Sequence, residues 1–177
     1  MEAGQLGVFS FGNKIRYLHS LDTPFTSESG ARITSQFTFD QTETNFVLSL
    51  KTIKEICIEA REKAHGQSKN AIQLVFMISD GKIDGGTRSE VRNLLRDMEQ
   101  QNILVVLLIC DTKEAGNSIL DTKMVSYKDR KMVIKSYMDD YPFSYYLILR
   151  DISILPECLS DALTQWFQLL SNSRGVF

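Results

Sequence analysis

Residues 71–86 read AIQLVFMISDGKIDGG, and the apolar run from Ile72 to Ile78 stops abruptly at Ser79, Asp80 and Gly81. Near-continuous hydrophobicity of this length predicts a strand over 71–79, buried on both faces of a parallel sheet. In open α/β sheets, the carboxyl ends of such strands form the ligand crevice. A carboxylate there, followed by a glycine that lets the backbone turn, is placed to meet a cation or a polar ligand. A strand that simply ends in a surface Asp-Gly turn reads the same way from these residues alone.

The flanking chain supplies the rest of an α/β alternation. Phe46, Leu50, Ile53, Cys57, Ala60 and Ala64 recur at steps of four and three, which predicts an amphipathic helix over 45–64. Thr44 or Asn45 would cap it and Gly66 would end it. A second helix fits 87–101, with Val91, Leu94, Leu95 and Met98 inward. NILVVLLIC (102–110) is another buried strand, ending at Asp111, and YYLIL (145–149) is a last core strand. A final helix has Pro156 in its first turn. Its stripe of Leu159, Ala162, Leu163, Trp166, Phe167 and Leu170 predicts firm docking.

Upstream, QLGVFSF (5–11) and KIRYL (14–18) flank Gly12-Asn13, a two-residue hairpin signal. Residues 19–45 are polar and rich in Ser and Thr, and predict a long irregular connection pinned by Ile33, Phe37 and Phe39. Residues 112–144 form an insertion. Within it KMVSY (123–127) and MVIKSY (132–137) flank Lys128-Asp129-Arg130-Lys131, which predicts a protruding basic hairpin. The order predicts one domain over 1–177, a three-layer α/β sandwich.

Composition narrows the function classes. The chain has 177 residues, 43% hydrophobic and 24% charged, with a net charge of −2. That suits one soluble domain with a full core, without a global pull toward nucleic acid or anionic membrane. No apolar run is long enough to span a bilayer. Cys57, Cys110 and Cys158 are far apart, which argues against a zinc site or a disulfide framework. His19 and His65 are isolated and read as surface residues. GxxxxGK[ST], GxSxG and HExxH are all absent, so kinase or hydrolase chemistry has little support. Two acid–hydroxyl features remain: Asp80 at a strand end, and Thr42-Glu43-Thr44 before the first long helix. Hydroxyl and carboxylate oxygens suit a hard cation such as Mg²⁺.

FMISDG resembles the third metal-site loop of von Willebrand factor A domains, and QTETN resembles their threonine-bearing second loop. FSFGNKIRYLH, FTSESGARITSQFTFDQTETN, SILDTKMV, SYMDDYPFSYYLILRDI and LPECLSDALTQWFQLL narrow the likeness. Together they resemble the carboxyl-terminal domain of the midasin family, dynein-related AAA ATPases of ribosome assembly, from about residue 5 to 170. The resemblance implies a von Willebrand factor A-like, Rossmann-like fold with a metal-ion-dependent adhesion site. It implies Thr42, with Thr44 as the alternative, and Asp80 as ligands of Mg²⁺, and Glu43 and Lys82 as partner contacts. A partner carboxylate would complete the shell.

The implied partners are ubiquitin-like domains of assembly factors on large-subunit precursors. They would be gripped by a monomeric nuclear module (nucleolus, nucleoplasm) that touches neither nucleic acid nor membrane. ATP binding belongs to the family's full-length protein, and no enzyme activity is expected of this chain. The alternatives are a von Willebrand A-like adhesion domain with another ligand, or a fragment without function.

One departure from the family pattern is large. The first ligand loop, DxSxS, is absent. The resemblance starts at the second strand, so the central first strand of a doubly wound sheet is expected to be missing. Unpaired buried backbone groups cost about 1–3 kcal/mol each. The expectation is a chain that folds poorly alone and holds Mg²⁺ weakly, with two family ligands at most.

Overall fold

The computed structural model describes residues 5–38, 40–63, 72–112, 114, 116–128 and 131–174. Among them are seven strands and four α-helices. Strands β1 (Val8–Phe11) and β2 (Ile15–His19) form an antiparallel pair. Helices α1 (Ser27–Gln36) and α2 (Phe46–Lys63) follow. Strand β3 (Gln73–Ser79), helix α3 (Arg88–Gln100) and strand β4 (Ile103–Cys110) come next. Strands β5 (Lys123–Lys128) and β6 (Lys131–Ser136) pair with each other. Strand β7 (Tyr146–Leu149), a 3-10 turn over 152–154 and helix α4 (Leu155–Arg174) complete the order.

The principal sheet runs β3-β4-β7 and is parallel, so the α/β class expected from the alternation holds. The β1-β2 pair is a sheet of its own, as is β5-β6. The chain divides into two compact units, Met1–Val75 with Ile83–Val105, and Phe76–Lys82 with Val106–Phe177.

In the first unit α2 and α3 pack together, because both carry an apolar stripe at helical spacing. Leu50, Val91, Met98 and Ile103 are essentially inaccessible, and Ile53 and Cys57 are buried beside them. Leu94 and Leu95 are half-buried. Lys51–Glu90 at 2.8 Å and Lys54–Asp97 link the outer surfaces of the two helices. The second unit is centred on Leu107, Leu108 and Ile109, all at 0% exposure, with Met77, Ile119, Phe143 and Leu149.

Several expectations need correction. Residues 27–36 form a helix where the Ser/Thr-rich composition suggested an irregular connection. Thr26 and Ser29 make a reciprocal capping box, and Ile33 supplies the one buried aliphatic anchor. Local capping thus nucleates a helix that hydrophobic periodicity does not signal.

The turn of the first hairpin has three residues, Gly12 to Lys14, since Phe11 pairs with Ile15. His19 is buried, at 3% exposure, and is not a surface residue. Its ring meets Phe25 edge-on at 5.3 Å. Its Nε2 lies 3.1 Å from the Thr23 carbonyl oxygen and its Nδ1 3.1 Å from the Arg32 guanidinium. Since a guanidinium only donates, Nδ1 accepts and Nε2 carries the proton.

Strand β3 is not buried on both faces: only Met77 is buried, and Ile78 is 43% exposed. It stands at one end of the strand order, where cover is thinnest. The stripe on α4 is likewise not buried. Leu159, Ala162 and Trp166 are half-buried, while Leu163 and Phe167 are exposed. Among the described elements α4 meets chiefly the short 3-10 turn that precedes it, which offers a wide stripe little surface to pack on. Phe39, Ala64, His65, Gly66, Asp129 and Arg130 lie outside the described residues, as does the side chain of Leu170.

Candidate functional site

The acidic half of the candidate site is built by the end of β3. The strand stops at Ser79, and Asp80 follows as an exposed residue. Its Oδ1 accepts a hydrogen bond from the Lys82 backbone N–H at 3.1 Å, a local turn that fixes the carboxylate. The Gly81 N–H donates to Ser79 Oγ at 3.3 Å. Among the described residues none donates a hydrogen bond to Asp80 Oδ2. That oxygen and an exposed Lys82 side chain are what this turn presents.

Gly81 explains why the turn is rigid. It adopts φ +74°, which a glycine enters without steric cost. A Cβ there would stand 2.9 Å from Ile119 Cδ1 and from the Tyr141 hydroxyl oxygen, and 3.0 Å from Ile109 Cγ2. Its carbonyl accepts the Tyr141 O–H at 2.8 Å and, more loosely, the Tyr137 O–H at 3.4 Å. The tyrosines belong to an aromatic cluster, with Tyr141 ring centroids 6.0 Å from Tyr137, 6.1 Å from Phe143 and 5.4 Å from Tyr146. The insertion therefore braces the loop that carries Asp80. Sequence reasoning missed these tyrosines. The aromatic density of SYMDDYPFSYY was visible, but no spacing rule ties it to Gly81.

Asp111, at the end of the adjacent strand β4, is engaged elsewhere. Its carboxylate accepts the Ser118 O–H at 2.5 Å and the Ile119 N–H at 2.9 Å. Burial pushes its pKa up, but hydrogen bonds from Ser118 and from the Ile119 and Thr112 backbones, with the charge of Arg150, outweigh that. The pKa sits below the ordinary carboxylate range. Asp111 thus anchors the start of the insertion. Burial, and then the Asp80 charge, push the Cys110 thiol up, away from the reactive thiolate. Burial likewise holds Cys57 at about 11. All three cysteines are free, and they read as packing residues.

The hydroxyl half lies between β1-β2 and α2. The Lys14 N–H donates to Gln41 Oε1 at 2.8 Å, and the Asn45 N–H donates to the Gly12 carbonyl at 2.9 Å. Both ends of the QTETN loop are therefore tied to the first hairpin turn. A Cβ at Gly12 would fall 2.6 Å from Gln41 Oε1, so a side chain there would have to displace Gln41. The cap of α2 is Asn45 and not Thr44, with Asn45 Oδ1 accepting the Leu48 N–H at 2.9 Å. Thr42, Glu43 and Thr44 are all exposed, and among the described residues none hydrogen-bonds their side chains.

The structure thus groups Thr42, Glu43 and Thr44 on one pinned loop, and Asp80 and Lys82 on one braced turn. The first group belongs to the first unit and the second to the other. Among the described residues no cluster of three or more His, Cys, Asp or Glu is arranged to hold a metal ion. The donor types do fit a hard cation: an exposed carboxylate oxygen and exposed hydroxyls.

No family model matches the chain. It is 36% identical over 174 residues to midasin of Dictyostelium discoideum, across 98% of its own length and 3% of that protein. It is 34% identical over 183 residues to midasin of Giardia intestinalis, across 99% of its own length and 4% of that protein. The chain therefore spans only a few per cent of the length of these curated relatives. With identity of this level along nearly all of its residues, this chain belongs, as a segment, to the midasin family.

Proposed function

We propose that this segment is a binding module of a midasin-type ribosome-assembly protein, and not a catalytic one. In this reading Asp80, with Thr42 or Thr44, holds a Mg²⁺ ion that a partner carboxylate also ligates. When bound, the ion supplies a positive bridge between two acidic groups that would otherwise repel. The partner class is the ubiquitin-like domain of an assembly factor on a large-subunit precursor in the nucleus. Glu43 and Lys82 flank the ligands and contact that partner.

One observation carries the reading. Asp80 is an exposed carboxylate with an unengaged oxygen, on a turn braced by Gly81 and two tyrosine hydroxyls. A surface aspartate with no role needs no such bracing. The unengaged hydroxyls of Thr42 and Thr44 on a pinned loop add donors of matching hardness. Of the described residues, His19 is enclosed in hydrogen bonds and the Cys57 and Cys110 thiols are held protonated, so none of these three stands ready as base or nucleophile.

The test is Asp80→Asn in the full-length protein that carries this segment. Asparagine keeps the acceptor for the Lys82 N–H and removes the charge. Capture of a ubiquitin-like assembly factor in Mg²⁺, and its release by a chelator, should be lost, with the melting temperature unchanged. Equal capture by the variant, or capture indifferent to chelator, overturns the ion bridge.

A further inference from the structure

The sequence holds two Asp-Gly pairs, Asp80-Gly81 and Asp84-Gly85, and no Asn-Gly pair. An aspartate before glycine can cyclise on its own backbone, because the glycine carries no side chain to shield its nitrogen. The glycine nitrogen attacks the aspartate Cγ, and the N–Cγ bond forms. The amide proton leaves with the carboxyl hydroxyl as water. Water then opens the five-membered imide. Where it breaks the bond from that nitrogen to the original main-chain carbonyl carbon, the chain runs on through Cγ. The product is an isoaspartate with a free α-carboxylate. Only water leaves and enters, and nothing is oxidised or reduced.

In both pairs the carboxylate is folded forward over the backbone that follows it. Asp80 Oδ1 accepts the Lys82 N–H at 3.1 Å, and Asp84 Oδ1 accepts the Gly86 N–H at 3.4 Å. What differs is the freedom of the peptide group that has to turn. Gly81 is buried, its N–H is engaged by Ser79, and its carbonyl is held by the Tyr141 and Tyr137 hydroxyls. Its surroundings are so close that a Cβ would stand 2.9 Å from Ile119 and Tyr141 and 3.0 Å from Ile109. Gly85 is exposed, as are Asp84 and Gly86, and a Cβ on Gly85 would meet nothing within 4 Å. Among the described residues none accepts a hydrogen bond from the Gly85 N–H. The Asp84 carbonyl accepts the Thr87 N–H and O–H, each at 3.0 Å, in an exposed turn where water can replace both.

We propose that Asp84 is a site of spontaneous isoaspartate formation in the folded protein, and that the packing around Gly81 keeps Asp80 an aspartate. The isoaspartyl carboxylate formed at Asp84 is the substrate class of carboxyl methyltransferases that act on altered aspartates. The change is not silent in the fold. The added main-chain methylene falls in the turn just before α3, between Ile83 at 4% exposure and Arg88 at 6%. Both hydrogen bonds that close that turn run to the carbonyl that becomes the displaced carboxylate. None of this depends on whether Asp80 holds an ion.

The test incubates the full-length protein that carries this segment for several weeks at neutral pH, in chelator so that no ion shields Asp80. Trypsin cuts after Lys69, Lys82 and Arg88, which puts the two aspartates on separate peptides, 70–82 and 83–88. Chromatography separates each isoaspartyl peptide from its parent, and an isoaspartate-specific methyltransferase with a labelled methyl donor identifies it. Isoaspartate is expected to form at Asp84 at least tenfold faster than at Asp80. In urea, with the packing gone, the two rates should converge. Gly85→Val places a branched side chain beside the nitrogen, in open space and without a positive φ to strain it, and should suppress formation at Asp84. No isoaspartate at Asp84, equal rates at both sites in the folded protein, a disparity that persists in urea, or an undiminished rate in the valine variant overturns the proposal.

Discussion

The hydroxyl of Tyr141 donates a 2.8 Å hydrogen bond to the carbonyl oxygen of Gly81, 60 residues away in sequence. This one contact ties the insertion to the loop that carries Asp80. Removing the hydroxyl in Tyr141→Phe leaves that carbonyl with the looser Tyr137 contact at 3.4 Å. The expected cost is about 0.5–1.5 kcal/mol, the usual net worth of such a bond. Gly81→Ala should cost more, about 1–3 kcal/mol, because it adds positive-φ strain to a Cβ at 2.9 Å from two neighbours. Urea unfolding of the two variants checks the order. An alanine variant as stable as the parent would show that the loop is not braced.

Asp111 sets an acid limit on the second unit. Its folded pKa lies below the ordinary value, so its contribution is complete above the unfolded value of about 4 and is lost as pH falls through the folded one. Asp111→Asn removes the charge and keeps one acceptor oxygen, for the Ile119 N–H, with the amide NH2 turned to the Ser118 hydroxyl oxygen. The parent should be the more stable at pH 7, and the gap should close as pH drops below about 4. Thermal melts across that range decide it. A gap that persists unchanged into acid would mean that the charge contributes nothing.

The parallel strands were legible because their signal is local. NILVVLLIC has no polar residue between Asn102 and Cys110 that would let it face water, and it became β4. Asp80 at a strand end was legible for the same reason. What failed was whatever depends on partners distant in sequence. His19 looked solitary, yet Arg32, Phe25 and Thr23 enclose it. The α4 stripe has the periodicity of a buried helix, but periodicity states what a face can bury and not whether a surface is there to meet it. The Tyr141–Gly81 contact is of this kind too. The helix at 27–36 failed differently, since capping and one anchor outweighed a polar composition.

The start of α2 separates two residues that the sequence left equivalent. Asn45 accepts the Leu48 N–H, while no described residue hydrogen-bonds the Thr44 hydroxyl. Asn45→Ala should therefore cost about 1 kcal/mol, and Thr44→Ala should fall within about 0.5 kcal/mol of the parent. The same pair, tested for Mg²⁺-dependent partner capture, should reverse in order if Thr44 is the ligand. If Thr42 is, Thr42→Ala should lose capture with the melting temperature intact.

Strand β3 ends the order β3-β4-β7, so among the described residues its outer edge has no hydrogen-bonding neighbour. Its sequence, QLVFMIS, lacks the lysine or proline that ordinarily protects an edge. Ile72 and Ile78 are 40% and 43% exposed at its two ends. An apolar edge of this type templates pairing with another strand. The chain as given should therefore self-associate as its concentration rises, with a gain in β signal. Ile78→Lys places a charge beside the edge at an exposed position, so it should suppress that association at little cost to folding. Leu108→Ala, at a fully buried position, should instead destabilise by about 2–5 kcal/mol and promote aggregation. Light scattering and sedimentation of the three chains read the difference. An Ile78→Lys variant that associates as readily as the parent would place the sticky surface elsewhere, with the exposed α4 residues Leu163 and Phe167 the next to change.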